Sequence, residues 1–133
     1  MAKKATVTWA GEPAAHDYPA AESYLRLLVS PDTAEVLTSL LSQASTVTHP
    51  AKDLLRAARL PLLAVDDPEV AKDVKKSADG VSLSPVLLVR GDLVTGRSLQ
   101  IADGYHRVCA GYHLNEDTDV PCRIVSLPAA AVG

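Results

Sequence analysis

Ser98-Leu99-Gln100-Ile101-Ala102-Asp103-Gly104-Tyr105-His106-Arg107-Val108-Cys109-Ala110 reads as an apolar strand that runs straight into a glycine turn and a helix. The pattern predicts a strand over 98–102 and a helix over 104–114, with Val108, Cys109, Tyr112 and His113 turned inward. Gly104 permits a sharp turn and a close backbone approach. A helix that begins at once leaves its first N–H groups without intrahelical partners, at the positive end of the dipole. An anion placed there meets donors already aimed at it. His106 and Arg107 add side-chain donors in the same turn, and a guanidinium can grip phosphate with two parallel bonds. Cations at a helix N-terminus are otherwise disfavoured by the dipole. An anionic ligand accounts for them. So does a second arrangement, in which Asp103 caps the helix and pairs with Arg107 one turn later. The residues alone leave both open.

Upstream, Thr6-Val7-Thr8-Trp9 is a short β-prone run ended by Gly11-Glu12-Pro13. Helices are expected over 20–29, from Pro31 to about Leu41 or Gln43 with Ser30 as cap, and over 51–59, with a polar loop over 42–48. From Leu60 the pattern turns to strands alternating with helices. Strands are expected over 60–65 and 85–90, and a helix capped by Asp67 with Pro68 in its first turn runs to about Ser77, before Asp79-Gly80. A loop over 91–97 leads to the quoted strand, and a last strand is expected over 120–127. The expected class is α+β, a small mixed sheet with packed helices. Residues 1–59 form an N-terminal strand and helical extension, 60–127 the α/β unit, and 128–133 a fraying tail.

Composition bounds the function. A chain of 133 residues with 47% hydrophobic and 22% charged residues can bury a core without staples. With 4% aromatics and no Phe, that core is aliphatic. Net charge −3, and only Lys3-Lys4 and Lys75-Lys76 as adjacent basic pairs, argue against a free-standing DNA binder. No run reaches the ~20 apolar residues of a membrane span, and the basic start lacks the apolar run of a secretory signal. A cytoplasmic location is the default expectation. Cys109 and Cys122 read as buried free thiols. No zinc or calcium spacing is present, the acidic 115–119 segment lacking the glycine and final glutamate of a calcium loop. His16-Asp17-Tyr18 could orient a histidine through a carboxylate, but a surface loop is the expected reading. Trp9 and Tyr24 are expected to cover the core.

The strand, Gly-x-x-Arg turn and helix resemble the ParB/sulfiredoxin superfamily. ParB-type proteins carry Gly-Glu-Arg-Arg at this turn, sulfiredoxins Gly-Cys-His-Arg, and a third group that includes free-serine kinases Asp-Gly-His-His-Arg. Asp103-Gly104-Tyr105-His106-Arg107 is nearest the third form. The similarity extends over about half the chain, through Asp67-Pro68, the 83–89 strand Leu-Ser-Pro-Val-Leu-Leu-Val, and Val120-Pro121-Cys122-Arg123-Ile124-Val125. It implies a nucleotide-binding domain whose turn holds the phosphates of ATP, ADP or CTP, often with Mg²⁺. Gly104, His106 and Arg107 carry over directly, Tyr105 sits within the turn, and Ser77 resembles a phosphate-contacting hydroxyl of sulfiredoxins.

Departures narrow the reading. Tyr105 stands where sulfiredoxins need their cysteine, and Cys109 lies a turn further on facing inward, so sulfinic acid reduction is not expected. No helix-turn-helix is expected after the module. A kinase needs an acidic base, for which Asp103 and Asp66 are the candidates. The expected partner is a nucleotide or phosphorylated small molecule, with an ATP- or ADP-dependent phosphotransferase or NTPase as the leading class. The alternatives are a non-catalytic ParB-like regulatory or DNA-associated module and a retained fold with a vestigial site. Homo-oligomerisation is left open.

Overall fold

The computed structural model describes residues 7–128. Nine elements follow in order: α1 Asp17–Leu25, α2 Pro31–Gln43, β1 Val47–Pro50, α3 Ala51–Ala58, α4 Pro68–Ala78, β2 Val86–Val89, β3 Gln100–Asp103, α5 Tyr105–Leu114 and β4 Asp119–Val125. The strands form one mixed sheet in the order β1-β4-β2-β3. β2 pairs antiparallel with β3 and parallel with β4, which pairs antiparallel with β1. The fold is thus α+β with a mixed sheet, as expected.

Sheet pleating explains the layers. Successive side chains of a strand point to opposite faces. Leu87 and Val89 join Leu25, Leu37 and Leu41 of α1 and α2 in one core cluster. Val86 and Leu88 join Leu54, Leu55, Val70 and Val108 of α3, α4 and α5 in the other. Both faces of β2 are therefore covered, and its four residues are all buried. A continuous Val-Leu-Leu-Val run, rather than an alternating one, is what such a strand requires.

Local chemistry sets the helix starts. The Ser30 hydroxyl accepts from the Thr33 amide at 3.2 Å, and Asp67 accepts from the amides of Glu69 and Val70 at 3.0 and 3.1 Å. Each cap is followed by proline at N1 or N2, where no N–H is needed. α1 begins at Asp17, earlier than expected, and ends at Leu25. Pro19 does not delimit it, because proline is tolerated in a first turn.

Three further expectations are corrected. The 42–48 segment is not all loop, since Val47–Pro50 is the edge strand beside β4. Its residues are mostly exposed, so it carries no alternation to read, and Pro50 closes it as edge strands allow. Residues 60–65 form no strand. The Pro61 carbonyl accepts from the Tyr105 hydroxyl at 2.5 Å, and the Leu63 carbonyl meets His113 Nε2 at 2.6 Å, so the run is tied to α5 by side chains. His113 is accordingly exposed rather than turned inward. The sheet takes β1 from before residue 60, and α1 and α2 supply side chains to one of its two core clusters.

The β-prone 6–9 run makes only an isolated bridge between Trp9 and Leu83, and Thr6 lies outside the described residues. Trp9 packs on the core as expected. Tyr24 is more exposed, its hydroxyl 2.5 Å from Gln100 Oε1. Cys109 and Cys122 are buried free thiols, and burial pushes the Cys122 thiol up to about 11. Of the expected tail, 129–133 lie outside the described residues. No helix among the described residues is long and apolar enough to cross a membrane.

Candidate functional site

β3 delivers Asp103 and then Gly104, which adopts φ +111° and ψ +15° as the N-cap of α5. A Cβ at Gly104 would fall on Val86 and 2.9 Å from an Arg107 nitrogen, so only glycine fits the close approach of this turn to β2. The turn gives α5 no side-chain cap. Among the described residues no acceptor faces the amides of Tyr105, His106 and Arg107, the first three of the helix. Donors left free at a helix start are an anion-binding element.

Gly104, His106 and Arg107 line a cleft of about 470 Å³. It is lined also by Ser84 and Asp103, by Asp17 of α1 with His16 just before it, and by Asp73 and Lys76 of α4. A cleft of this size suits a small organic ligand.

Arg107 is the hub of the cleft. Its side chain is 12% exposed, with Nη2 2.6 Å from Asp103 Oδ2 and Nη1 3.2 Å from Asp17 Oδ2. Nη1 also donates to the Ser84 carbonyl at 3.0 Å and to the Ser84 hydroxyl. The Ser84 hydroxyl donates to Asp17 Oδ2 at 2.8 Å, and the Ala14 amide donates to the same oxygen at 3.0 Å. Asp17 is 3% exposed, the sole buried polar or charged side chain among the described residues. The pairing of Asp103 with Arg107 is thus realised, while capping by Asp103 is not.

Two carboxylates share one guanidinium, and their protons respond in opposite ways. Burial pushes Asp103 up to about 6 against the pull of Arg107, and the Asp17 charge pushes it the same way. Burial also works to raise Asp17, but Arg107, Ser84 and the Ala14 amide together hold it below the ordinary carboxylate value. Asp73 is raised by burial despite Lys76, Arg107 and His106 nearby. The cleft is lined by Glu12, Asp17, Glu69, Asp73 and Asp103 against Lys76 and Arg107, so its carboxylates outnumber its fixed cations.

Gly104, His106, Arg107 and Asp103 all line the cleft. Tyr105 does not, its hydroxyl being anchored to Pro61. Ser77 lies outside the lining, where Asp73 and Lys76 of the same helix stand instead. Asp66 is exposed and outside it too. Asp17, expected in a surface loop, is instead buried, whereas the His16 side chain remains 87% exposed. Nothing local in the sequence marks Asp17, because its partner Arg107 is 90 positions away.

No family model matches this chain, and no curated protein or solved structure resembles it. What the cleft does therefore rests on its own chemistry. It offers free amides and a lysine for an anion, and a carboxylate with a proton affinity near neutrality. Among the described residues no group of three or more His, Cys, Asp or Glu side chains is arranged to hold a metal ion.

Proposed function

We propose that the cleft at the start of α5 binds a phosphorylated small molecule, with a nucleotide as the leading class, in the manner of the ParB/sulfiredoxin-type domains that the Asp103–Arg107 turn resembles. The observation that carries this reading is the turn itself: Gly104, His106 and Arg107 line the cleft, and the amides of Tyr105, His106 and Arg107 meet no acceptor among the described residues. Phosphate oxygens accept from these amides, and Lys76 and His106 add charge or donors at the rim. Arg107 takes a different part from the one its sequence position suggests. Its terminal nitrogens are held by Asp17, Asp103 and Ser84, so it braces the turn rather than gripping phosphate with both arms.

The surplus of carboxylates sets a condition. A bare phosphate meets repulsion at neutral pH, and a divalent cation carried on the phosphates offsets it. Mg²⁺ is commonly bound through one or two carboxylates plus substrate phosphates, which needs no cage of protein ligands. ATP, ADP or CTP with Mg²⁺ fits this pattern. If phosphoryl transfer or hydrolysis follows, Asp103 is the group placed to accept a proton, since a value of about 6 suits a base working near neutrality. Positioning and charge stabilisation supply the rest.

One observation favours a second reading, in which the fold is kept and the site is vestigial. The Asp17–Arg107–Asp103 network is closed on itself and works equally well as a latch between α1 and α5. A thermal-shift series with ATP, ADP and CTP, with and without Mg²⁺, separates the two. A nucleotide at 100 times its Kd adds ~2.7 kcal/mol of stability. At least one nucleotide is expected to raise Tm, more strongly with Mg²⁺, and Lys76→Ala to reduce the gain. No rise with any of them favours the latch. Binding without turnover favours a ParB-like regulatory module.

A further inference from the structure

A second cleft, of about 440 Å³, opens at the other end of β2, beyond Leu88. Four guanidiniums line it: Arg56 and Arg59 from the end of α3, Arg90 just after β2, and Arg97 from the loop that leads to β3. The carboxylates in the lining are Asp53 and Asp92. Four arginines drawn together on a chain of net charge −3 repel one another, and their partners do little to offset it. Arg56 meets Asp53 at 3.5 Å with its side chain 81% exposed, a geometry worth little in water. Arg59 donates to the Gly96 carbonyl and Arg90 to the Ser126 hydroxyl, both neutral acceptors. The Arg97 Nε is buried and has no hydrogen-bond partner among the described residues.

The backbone is committed to this arrangement. Arg59 is the one non-glycine residue with positive φ among the described residues, at +56°. A left-handed conformation strains a residue that carries a Cβ. The loop closes through the Asp92 amide on the Arg97 carbonyl at 2.8 Å, and a Cβ on Gly91 would meet that carbonyl at 2.5 Å. The floor of the cleft is apolar, with Leu54, Leu88 and Leu99 buried. At the loop tip Leu93 and Val94 are 98% and 94% exposed.

We propose that this cleft is a separate anion site that takes a phosphomonoester joined to an apolar body. Arginine is suited to bind the phosphate in planar, paired hydrogen bonds, and the aliphatic floor takes the body. The same chemistry is presented by a soluble organic phosphate and by the headgroup of an anionic lipid, for which Leu93 and Val94 would enter the bilayer.

The test uses 1-naphthyl phosphate and inorganic phosphate as soluble probes, and vesicles of phosphatidylcholine with and without phosphatidic acid. Saturable binding of naphthyl phosphate is expected, tighter than that of inorganic phosphate. Arg56→Gln and Arg90→Gln, both at exposed positions, should each weaken it roughly tenfold, while Lys72→Gln, at an exposed position of α4 outside both clefts, leaves it unchanged. Sedimentation with phosphatidic acid vesicles, lost in Leu93→Ser, assigns the lipid source; soluble binding alone assigns the small molecule. The proposal is overturned if neither probe nor vesicle binds, if the arginine variants bind as the native chain does, or if naphthyl phosphate binds no more tightly than inorganic phosphate.

Discussion

Replacing Arg107 with alanine is expected to lower folding stability by about 3–5 kcal/mol, the range for removing one partner of a buried ion pair. The guanidinium is the cation that Asp17 and Asp103 share at 3.2 and 2.6 Å. Without it, a nearly fully buried carboxylate and a second one beside it face each other unneutralised, and the Ser84 carbonyl loses a donor. The loss should depend on pH. Burial already places Asp103 at about 6 in the folded chain, above the ordinary 3.8. A raised value means that the folded state binds the proton more tightly. Its contribution is therefore full below about 3.8 and declines as pH rises through 6. Asp17, held low, contributes the reverse: its share is present above the ordinary carboxylate value and fades as pH falls. Arg107→Ala removes the attraction that moderates Asp103, so the variant should lose most stability above pH 6 and recover part of it near pH 5. Urea denaturation at pH 5 and pH 8 checks this. A loss that is equal at both values, or under 1 kcal/mol, would show that the network is not the electrostatic hub described here. Asp103→Asn, which keeps an acceptor for Arg107 but has no charge, should flatten the decline between pH 4 and 6.

Gly104→Ala is expected to cost roughly as much by a different route. A φ of +111° is foreign to a residue with a Cβ, which accounts for ~1–2 kcal/mol. The added methyl also collides with Val86, a fully buried residue of β2. Overpacking of this kind adds typically 1–3 kcal/mol. Either the turn moves away from β2 or the first turn of α5 distorts, and both displace the free amides. Stability should fall by about 2–5 kcal/mol, and the nucleotide-dependent rise in Tm should vanish. Because the collision lies on Val86, the Gly104→Ala, Val86→Ala double variant should lose less than the sum of the single losses. Strict additivity would contradict the collision, leaving the backbone conformation alone as the cause.

The sequence was informative where structure follows from neighbouring residues. Ser30-Pro31 and Asp67-Pro68 start helices because a side-chain acceptor and a proline suffice for that in any context. Gly104 was recognisable for the same reason, its role being fixed by the strand before it and the helix after it. Elements that depend on distant partners were not. β1 is an exposed edge strand made by its pairing with β4 from Asp119 to Cys122. The apolar 60–65 run has strand-like residues but bonds to α5 through side chains of Tyr105 and His113. Ser77 resembles a family position, yet helix phase puts Asp73 and Lys76 on the cleft side, and the next residue is turned roughly 100° away. Asp17 needed the tertiary fold, since α1 reaches α5 only when both helices lie against the sheet. The arginine cleft was equally hidden, being assembled from α3, the end of β2 and a loop.

The most direct measurement of the functional reading is an ¹⁵N–¹H correlation titration of the whole chain with Mg²⁺ and ATP, then with Mg²⁺ and inorganic pyrophosphate. The amide signals of Tyr105, His106 and Arg107 should shift together and saturate, with those of α2, which lines neither cleft, unmoved at the same concentrations. If the three amides keep their positions while the chain remains folded and the phosphates are in excess, the start of α5 is not a phosphate site.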